Sequence, residues 1–375
     1  MRILILGTAY PLRGGIAHYN ALLASELGKR HAVETITFKR QYPSFLFPGK
    51  TQAESGGDLH ADPAPQLIDS INPFNWWTVA REIRRRSPDL VIFKYWLPFF
   101  GPCFGTIARW VKRGTSTKVL AICDNVLPHE RRPFDITFTR YAFAPVDAFI
   151  VQSDAVERDL LRFRPGAHAR NVPHPIYNLF GRTVPKDRAR SDLGLTAQRI
   201  ILFFGYVRKY KGLHVLLDAM AAMDRALGIH LVVAGEFYDD ERSYRDQIAR
   251  LGLEQSVTIR SEYLPNESVA LYFSAADAVI LPYISATQSG IAQIAFNFDR
   301  PVIATTVGGL AEVVRENITG LLAPPEDPLA LRDRIETFYR DAREQTLVEG
   351  VRAEKGKYSW DNLVQAIEEL THATA

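Results

Sequence analysis

Between Phe203 and Met220 the chain reads FFGYVRKYKGLHVLLDAM, which sets Arg208, Lys209 and Lys211 in a short loop between an apolar run and a helical pattern. Cations just beyond a buried strand suit a diphosphate. Arginine grips two oxygens with a planar fork, and lysine supplies a compact point charge. A second candidate is SATQSGIAQIAFNF, where Gln288, Ser289, Gly290 and Ile291 open a helix and aim unspent backbone N–H groups at an anion. Gly14 and Gly15 open another helix after the first apolar run, which admits close backbone approach to a phosphate or sugar at the positive end of the helix dipole. Glu312, one turn past Gly308 and Gly309, can cap N–H groups or hold a hydroxyl, and ICDNVLPHERR offers Asp124 and His129 after a further strand. The chain has no G-x-G-x-x-G fingerprint after its first strand and no G-x-x-x-x-G-K-[ST] loop. A dinucleotide site and a nucleotide triphosphatase therefore lack support.

The elements that must position these residues alternate between short apolar runs and helical patterns, which predicts parallel sheets with crossover helices. In the first half the runs are 1–7, 33–38, 89–93, 118–122 and 147–151, with helical candidates from Ile16 to Leu27 and at 74–86, 104–113, 134–144 and 154–163. The stretch from Gln41 to Asn72 breaks the rhythm and predicts a long loop. A polar seam at 180–195 precedes a second series of strands at 199–205, 230–235, 256–260, 278–282 and 301–305. Two Rossmann-like halves in tandem follow: 1–180, then 181–345, with C-terminal helices over 346–375 expected to pack back across the seam. Ligands of such open sheets bind beyond the carboxyl ends of the strands, where the candidate loops lie.

Composition narrows the class. The 375 residues are 47% hydrophobic and 23% charged, enough for large cores, and two cysteines build neither a disulfide framework nor a zinc pattern. No leader pattern or long apolar span is apparent, so the expected location is cytoplasmic, or peripheral at the inner face of a membrane. The net charge of +3 hides an asymmetry: residues 1–180 carry 23 Lys+Arg against 15 Asp+Glu, a surplus of eight, leaving 22 against 27 in the remainder. The basic half is expected to meet something anionic. Basic and aromatic residues interleave in FKRQYPSFLFPGK, with Lys39, Arg40, Phe45, Phe47 and Lys50 suited to a membrane surface or a lipid-linked acceptor. No recognition motif supports nucleic acid.

Several blocks together resemble the GT-B glycosyltransferases of retaining family four, also called glycosyl transferases group 1. They are the Gly14–Gly15 loop, G-x-x-x-x-x-K-G at Gly205, Lys211 and Gly212, the run from Ala275 to Pro282, and PVIATTVGGLAEVV followed by TGLLAPPEDPLAL. The resemblance implies an α/β GT-B fold of two Rossmann-like parallel-sheet domains facing across a cleft. It also implies a UDP- or GDP-linked sugar donor held mainly by the second domain, an acceptor approaching from the first, and neither cofactor nor metal. Arg208 and Lys211 take the family's basic pair, with Tyr206 where an arginine is usual. The family's two glutamates fall on Ala286 and Ile294, so the polar stretch before Gly290 is the candidate substitute, and Asp124 stands where many members have histidine. Backbone groups near Glu262 and Tyr263 are the expected base contacts.

The implied activity moves a sugar to a hydroxyl on a glycan, a lipid-linked carrier or a small molecule, with retention of configuration. In the family the departing phosphate can itself accept the acceptor proton, so Asp124 and His129 are positioning candidates. The vacated carboxylate positions keep another class open, a nucleotide-sugar-binding protein without transfer activity. A nucleotide-sugar epimerase of the same architecture is a third reading, against which those positions count because it needs an acid/base pair at the sugar.

Overall fold

The structure, a computed structural model, describes residues 1–43, 63–127, 132–262 and 264–373. The chain divides into two compact units, Met1–Pro175 with Ser359–Ala375, and Ile176–Tyr358.

In the first unit the strands are β1 (Arg2–Leu6), β2 (Ala32–Arg40), β3 (Gln66–Asp69), β4 (Leu90–Tyr95), β5 (Lys118–Cys123), β6 (Ala148–Val151) and β7 (Ala169–Asn171). They form one parallel sheet in the order β3-β2-β1-β4-β5-β6-β7. Helices cover both faces, so β4 is buried at all six positions and its sequence shows no alternation. The strand order reverses between β1 and β4, and there the two following chain segments diverge and leave a crevice at the carboxyl edge.

The second unit repeats the plan with β8 (Arg199–Phe204), β9 (Ile229–Ala234), β10 (Val257–Arg260), β11 (Ala278–Leu281), β12 (Val302–Thr305) and β13 (Gly320–Ala323), in the order β10-β9-β8-β11-β12-β13. The reversal lies between β8 and β11. Asp277, 3% exposed, fixes the amino-terminal edge of that pair: its carboxylate accepts from the Ile200 amide at 2.7 Å, from Lys186 at 2.6 Å and from Arg190 at 2.7 Å.

Three strands escape the sequence pattern. β3 interrupts what reads as loop from Gln41 to Asn72, while β7 and β13 continue the two series. β3 and β7 are edge strands of four and three residues, too short to show a period, and their backbone pairing depends on a neighbour distant in sequence. The division between units also differs from the expected 180/181. Residues from Ile176 onward join the second unit, where Tyr177 and Phe180 are both 6% exposed. Of the 346–375 tail only Ser359–Ala375 joins the first unit, its helix Trp360–Ala373 burying Leu363, Ile367 and Leu370. The preceding helix, Glu344–Glu354, stays in the second unit, with Leu347 and Val351 fully buried.

Candidate functional site

Chemistry in the second unit gathers at the carboxyl ends of β8 and β11. β8 runs into Gly205 and then into a 3-10 turn, Lys209–Lys211, that is closed by Gly212 in the left-handed region at φ 71°. A Cβ at Gly212 would collide with the carbonyl oxygen of Pro282, just past β11, so a glycine lets the basic loop lie flat against the neighbouring strand end. This locks Lys211 into place. Its ammonium lies over the Gly205 backbone, 3.4 Å from where a Cβ would stand, and the Ile291 side chain reaches within 3.2 Å of the same point. The Tyr283 ring sits 5.7 Å from the ammonium. Lys211 is 9% exposed and among the described residues forms no ion pair with a carboxylate. Burial, with the Arg208 charge as a smaller cause, pulls its pKa down to about 8.

Arg208 stands beside it, its guanidinium 4.9 Å over the Tyr238 ring, which packs against Tyr206 at 4.5 Å. Tyr206, where the family usually has arginine, thus packs on the Tyr238 ring that lies under Arg208. The loop after β11 arrives from the other side. Ser289 is the N-cap of helix Gly290–Asn297 but makes no side-chain cap bond; its hydroxyl instead lies 3.4 Å from that of Tyr283. Ser289 thus leaves the helix N-terminus without the usual N-cap bond, and that positive end of the helix dipole lies nearest Lys211 through Ile291. Gly309 donates to the Thr287 carbonyl at 3.1 Å, which ties the turn after β12 to the same loop.

Arg208, Lys211, Ser289, Gly290 and Ile291 therefore come together, and Gln288 sits in the same loop. Glu312 belongs to the one-turn helix Leu310–Val313 and is exposed. Glu262 is exposed beyond β10, the edge strand of the sheet, and β9 separates it from β8. Tyr263 and His129 lie outside the described residues, as do Phe45, Phe47 and Lys50.

In the first unit Gly14 is the N-cap of helix Gly15–Gly28 at φ 111°, with no side-chain cap. The carboxyl edge of β4, β5 and β6 holds a cluster that sequence reading missed in part. Asp124, directly after β5, pairs at 2.6 Å with Lys94 of β4, whose side chain is only 2% exposed. The ammonium lies 3.3 Å over the Tyr19 ring and 3.5 Å from the Gln152 carbonyl oxygen, and the Gln152 amide donates to the Tyr19 hydroxyl at 2.9 Å. His174 meets Tyr19 edge-on at 5.1 Å; burial, aided by the Lys94 charge, lowers its pKa to about 4 and keeps the ring neutral. A lysine inside LVIFKY was the available signal, because a cation in a strand buried on both faces requires a partner. Of the aromatics at and after the end of β4, Tyr95 and Phe100 are core residues, while Trp96 and Phe99 are partly buried against it.

Two parallel α/β sheets in one chain, with a basic loop and a helix N-terminus at the second switch point, define the GT-B glycosyltransferase class. Comparison with known proteins agrees. Residues 13–177 match the model described as Glycosyltransferase Family 4, and residues 198–341 match Glycosyl transferases group 1. The chain belongs to this family. It is 29% identical over 230 residues to D-inositol 3-phosphate glycosyltransferase of Mycobacterium tuberculosis, a match over 59% of this chain and 47% of that protein. The matched stretch thus spans about half the length of such relatives. Among solved structures, sucrose-phosphate synthase of Thermosynechococcus elongatus superposes with TM-score 0.76 at 20% identity, covering 100% of this chain and 99% of the other. The Anabaena protein HepE in complex with UDP and glucose superposes with TM-score 0.77 at 17% identity, covering both chains fully. At these identities the likeness speaks for the fold alone.

Proposed function

We propose that the protein transfers a sugar, with retention of configuration, from a nucleoside-diphosphate sugar to a hydroxyl acceptor, and that Lys211 and Arg208 hold the donor diphosphate. The observation that carries this reading is the buried Lys211 ammonium, which has no carboxylate partner among the described residues and lies beside a helix N-terminus whose N-cap Ser289 makes no side-chain cap bond. An unpaired buried cation is costly, and an anionic ligand removes the cost. In the transition state the same groups face the charge that develops on the leaving phosphate, where each such donor contributes about 3–4 kcal/mol.

The Ser289 and Gly290 N–H groups complete the phosphate cradle. Gln288 and Ser289 take over sugar-hydroxyl contacts from the acidic positions occupied here by Ala286 and Ile294, and Glu312, Glu262 and Tyr263 serve the sugar and base. Gly14 and Gly15, at a helix N-terminus of the first unit, are the backbone groups suited to a phosphate or sugar there. Asp124, oriented by Lys94, and His129 position the acceptor hydroxyl, whose proton passes to the departing phosphate. UDP-linked donors are supported by the likeness to a fold neighbour bound to UDP. The positive surplus of residues 1–180 supports a phosphate-bearing or lipid-linked acceptor.

The test is titration with UDP- and GDP-linked sugars by calorimetry, followed by assays of hydrolysis and transfer. Binding with turnover supports the reading. Binding without either reaction would identify a donor-binding protein, and isomerised donor without acceptor would identify an epimerase.

A further inference from the structure

The first unit carries an outward surface that the donor site does not use. Helix Pro73–Arg86 buries Trp76, Val79, Ala80 and Ile83 and turns the opposite stripe outward. On that stripe Phe74 is 86% exposed and Trp77 43%, with Ile71 at 43% just before the helix. Such large apolar groups stand next to cations. The helix holds Arg81, Arg84, Arg85 and Arg86 against one glutamate, Glu82, which is spent on Arg85 and Arg86. Arg81 lies 4.7 Å over the Trp77 ring. On the adjacent helix Gly101–Lys112, the Trp110 ring is stacked 5.3 Å under Arg113. Among the described residues Arg81, Arg84 and Arg113 form no ion pair with a carboxylate. Between the helices lies a cavity of about 210 Å³ walled by Trp77, Ala80, Arg81, Arg84 and Trp110.

We propose that this face docks on an anionic phospholipid bilayer. Water explains the arginines but not Phe74 and Trp77, which lose free energy by exposure, and a purely apolar partner explains the rings but not the unpaired guanidinium groups. A bilayer interface satisfies both: tryptophan rings settle at headgroup depth, phenylalanine reaches the acyl boundary, and guanidinium groups meet lipid phosphates. The Trp-walled cavity with its arginine rim fits one phosphate headgroup. This deepens the lipid-side half of the proposed function and rests on that half; the donor-site reading stands apart from it. The surface is separate in sequence from FKRQYPSFLFPGK, most of which lies outside the described residues.

The experiment is flotation of the full-length protein with vesicles of phosphatidylcholine alone or with phosphatidylglycerol added, over a salt series, with UDP binding measured in parallel. Bound protein is expected only with the anionic vesicles, falling as salt rises. Arg81→Glu with Arg84→Glu should weaken binding at least tenfold. Phe74→Ser with Trp77→Ser should also weaken it, and leave a residue of salt-sensitive attachment. All four positions are exposed, so circular dichroism and UDP affinity should match the parent. Unchanged flotation of both variants, equal binding to neutral vesicles, or no binding at all would overturn the proposal. So would displacement from vesicles by millimolar inorganic phosphate, which would indicate a soluble-anion site, or self-association through Trp77 in sedimentation. Loss of UDP binding with flotation intact would count against the donor site instead.

Discussion

The two switch points share a topology and differ in how they treat a buried lysine. At the carboxyl edge of the first sheet, Lys94 is matched within the fold by Asp124 at 2.6 Å and covered by Tyr19. At the corresponding edge of the second, Lys211 is 9% exposed and, among the described residues, has Arg208 rather than a carboxylate for company. A paired buried cation is part of the architecture, whereas an unpaired one is a vacancy for an anion. The difference supports the proposal that a diphosphate is held in the second unit more sharply than the count of basic residues does.

The comparison breaks first on stability. Lys94→Met strands the Asp124 carboxylate in a buried setting and should lower unfolding free energy by about 3–5 kcal/mol. Lys211→Met removes an uncompensated charge and should leave stability equal or higher. Denaturant unfolding of both variants checks this, and shifts of the same sign and size would erase the distinction. Next in size is catalysis: Lys211→Ala should reduce turnover about 100-fold with the fold intact, measured as kcat on the donor identified by titration. Near-normal turnover would remove Lys211 from the diphosphate.

Gly212→Ala sharpens the geometry. Its φ of 71° and the Pro282 carbonyl oxygen leave no room for a methyl group. The substitution should cost about 1–3 kcal/mol of stability and weaken donor binding by displacing the Lys211 turn. An alanine variant with parental affinity would show that the turn does not place the charge. The smallest expected effect is on pH. Because burial depresses the Lys211 pKa to about 8, the free protein loses this charge as pH rises past that point. Donor affinity should fall by up to about tenfold per pH unit above it. The sign for folding is the reverse: the cost of the buried ammonium is present below the folded pKa and fades as pH rises from there toward the ordinary lysine value.

Legibility in the sequence followed locality. Unbroken apolar runs exposed the buried strands, and Arg208, Lys211 and Ser289–Ile291 were readable because each lies within a few residues of the strand or helix end that presents it. β3 and β7 were not, since three or four edge residues depend on partners far along the chain. The Lys94–Asp124–Gln152–Tyr19 cluster was hidden for the same reason: four elements contribute one residue each, and Asp124 alone looked chemical. The tail shows the limit of periodicity. It marks helices at Glu344–Glu354 and Trp360–Ala373 but cannot say that the two belong to different units.

The central claim is that the Lys211 ammonium is the counter-charge of the donor diphosphate, and its most direct test is calorimetric. UDP and GDP are titrated near pH 8.5 in two buffers of different ionisation enthalpy, with the parent protein and Lys211→Met. An anion that binds charged Lys211 must raise its pKa, so the parent should take up a fraction of a proton on binding, and the variant should bind far more weakly with that uptake gone. Equal affinity in both proteins, with no proton uptake in either, would contradict the account.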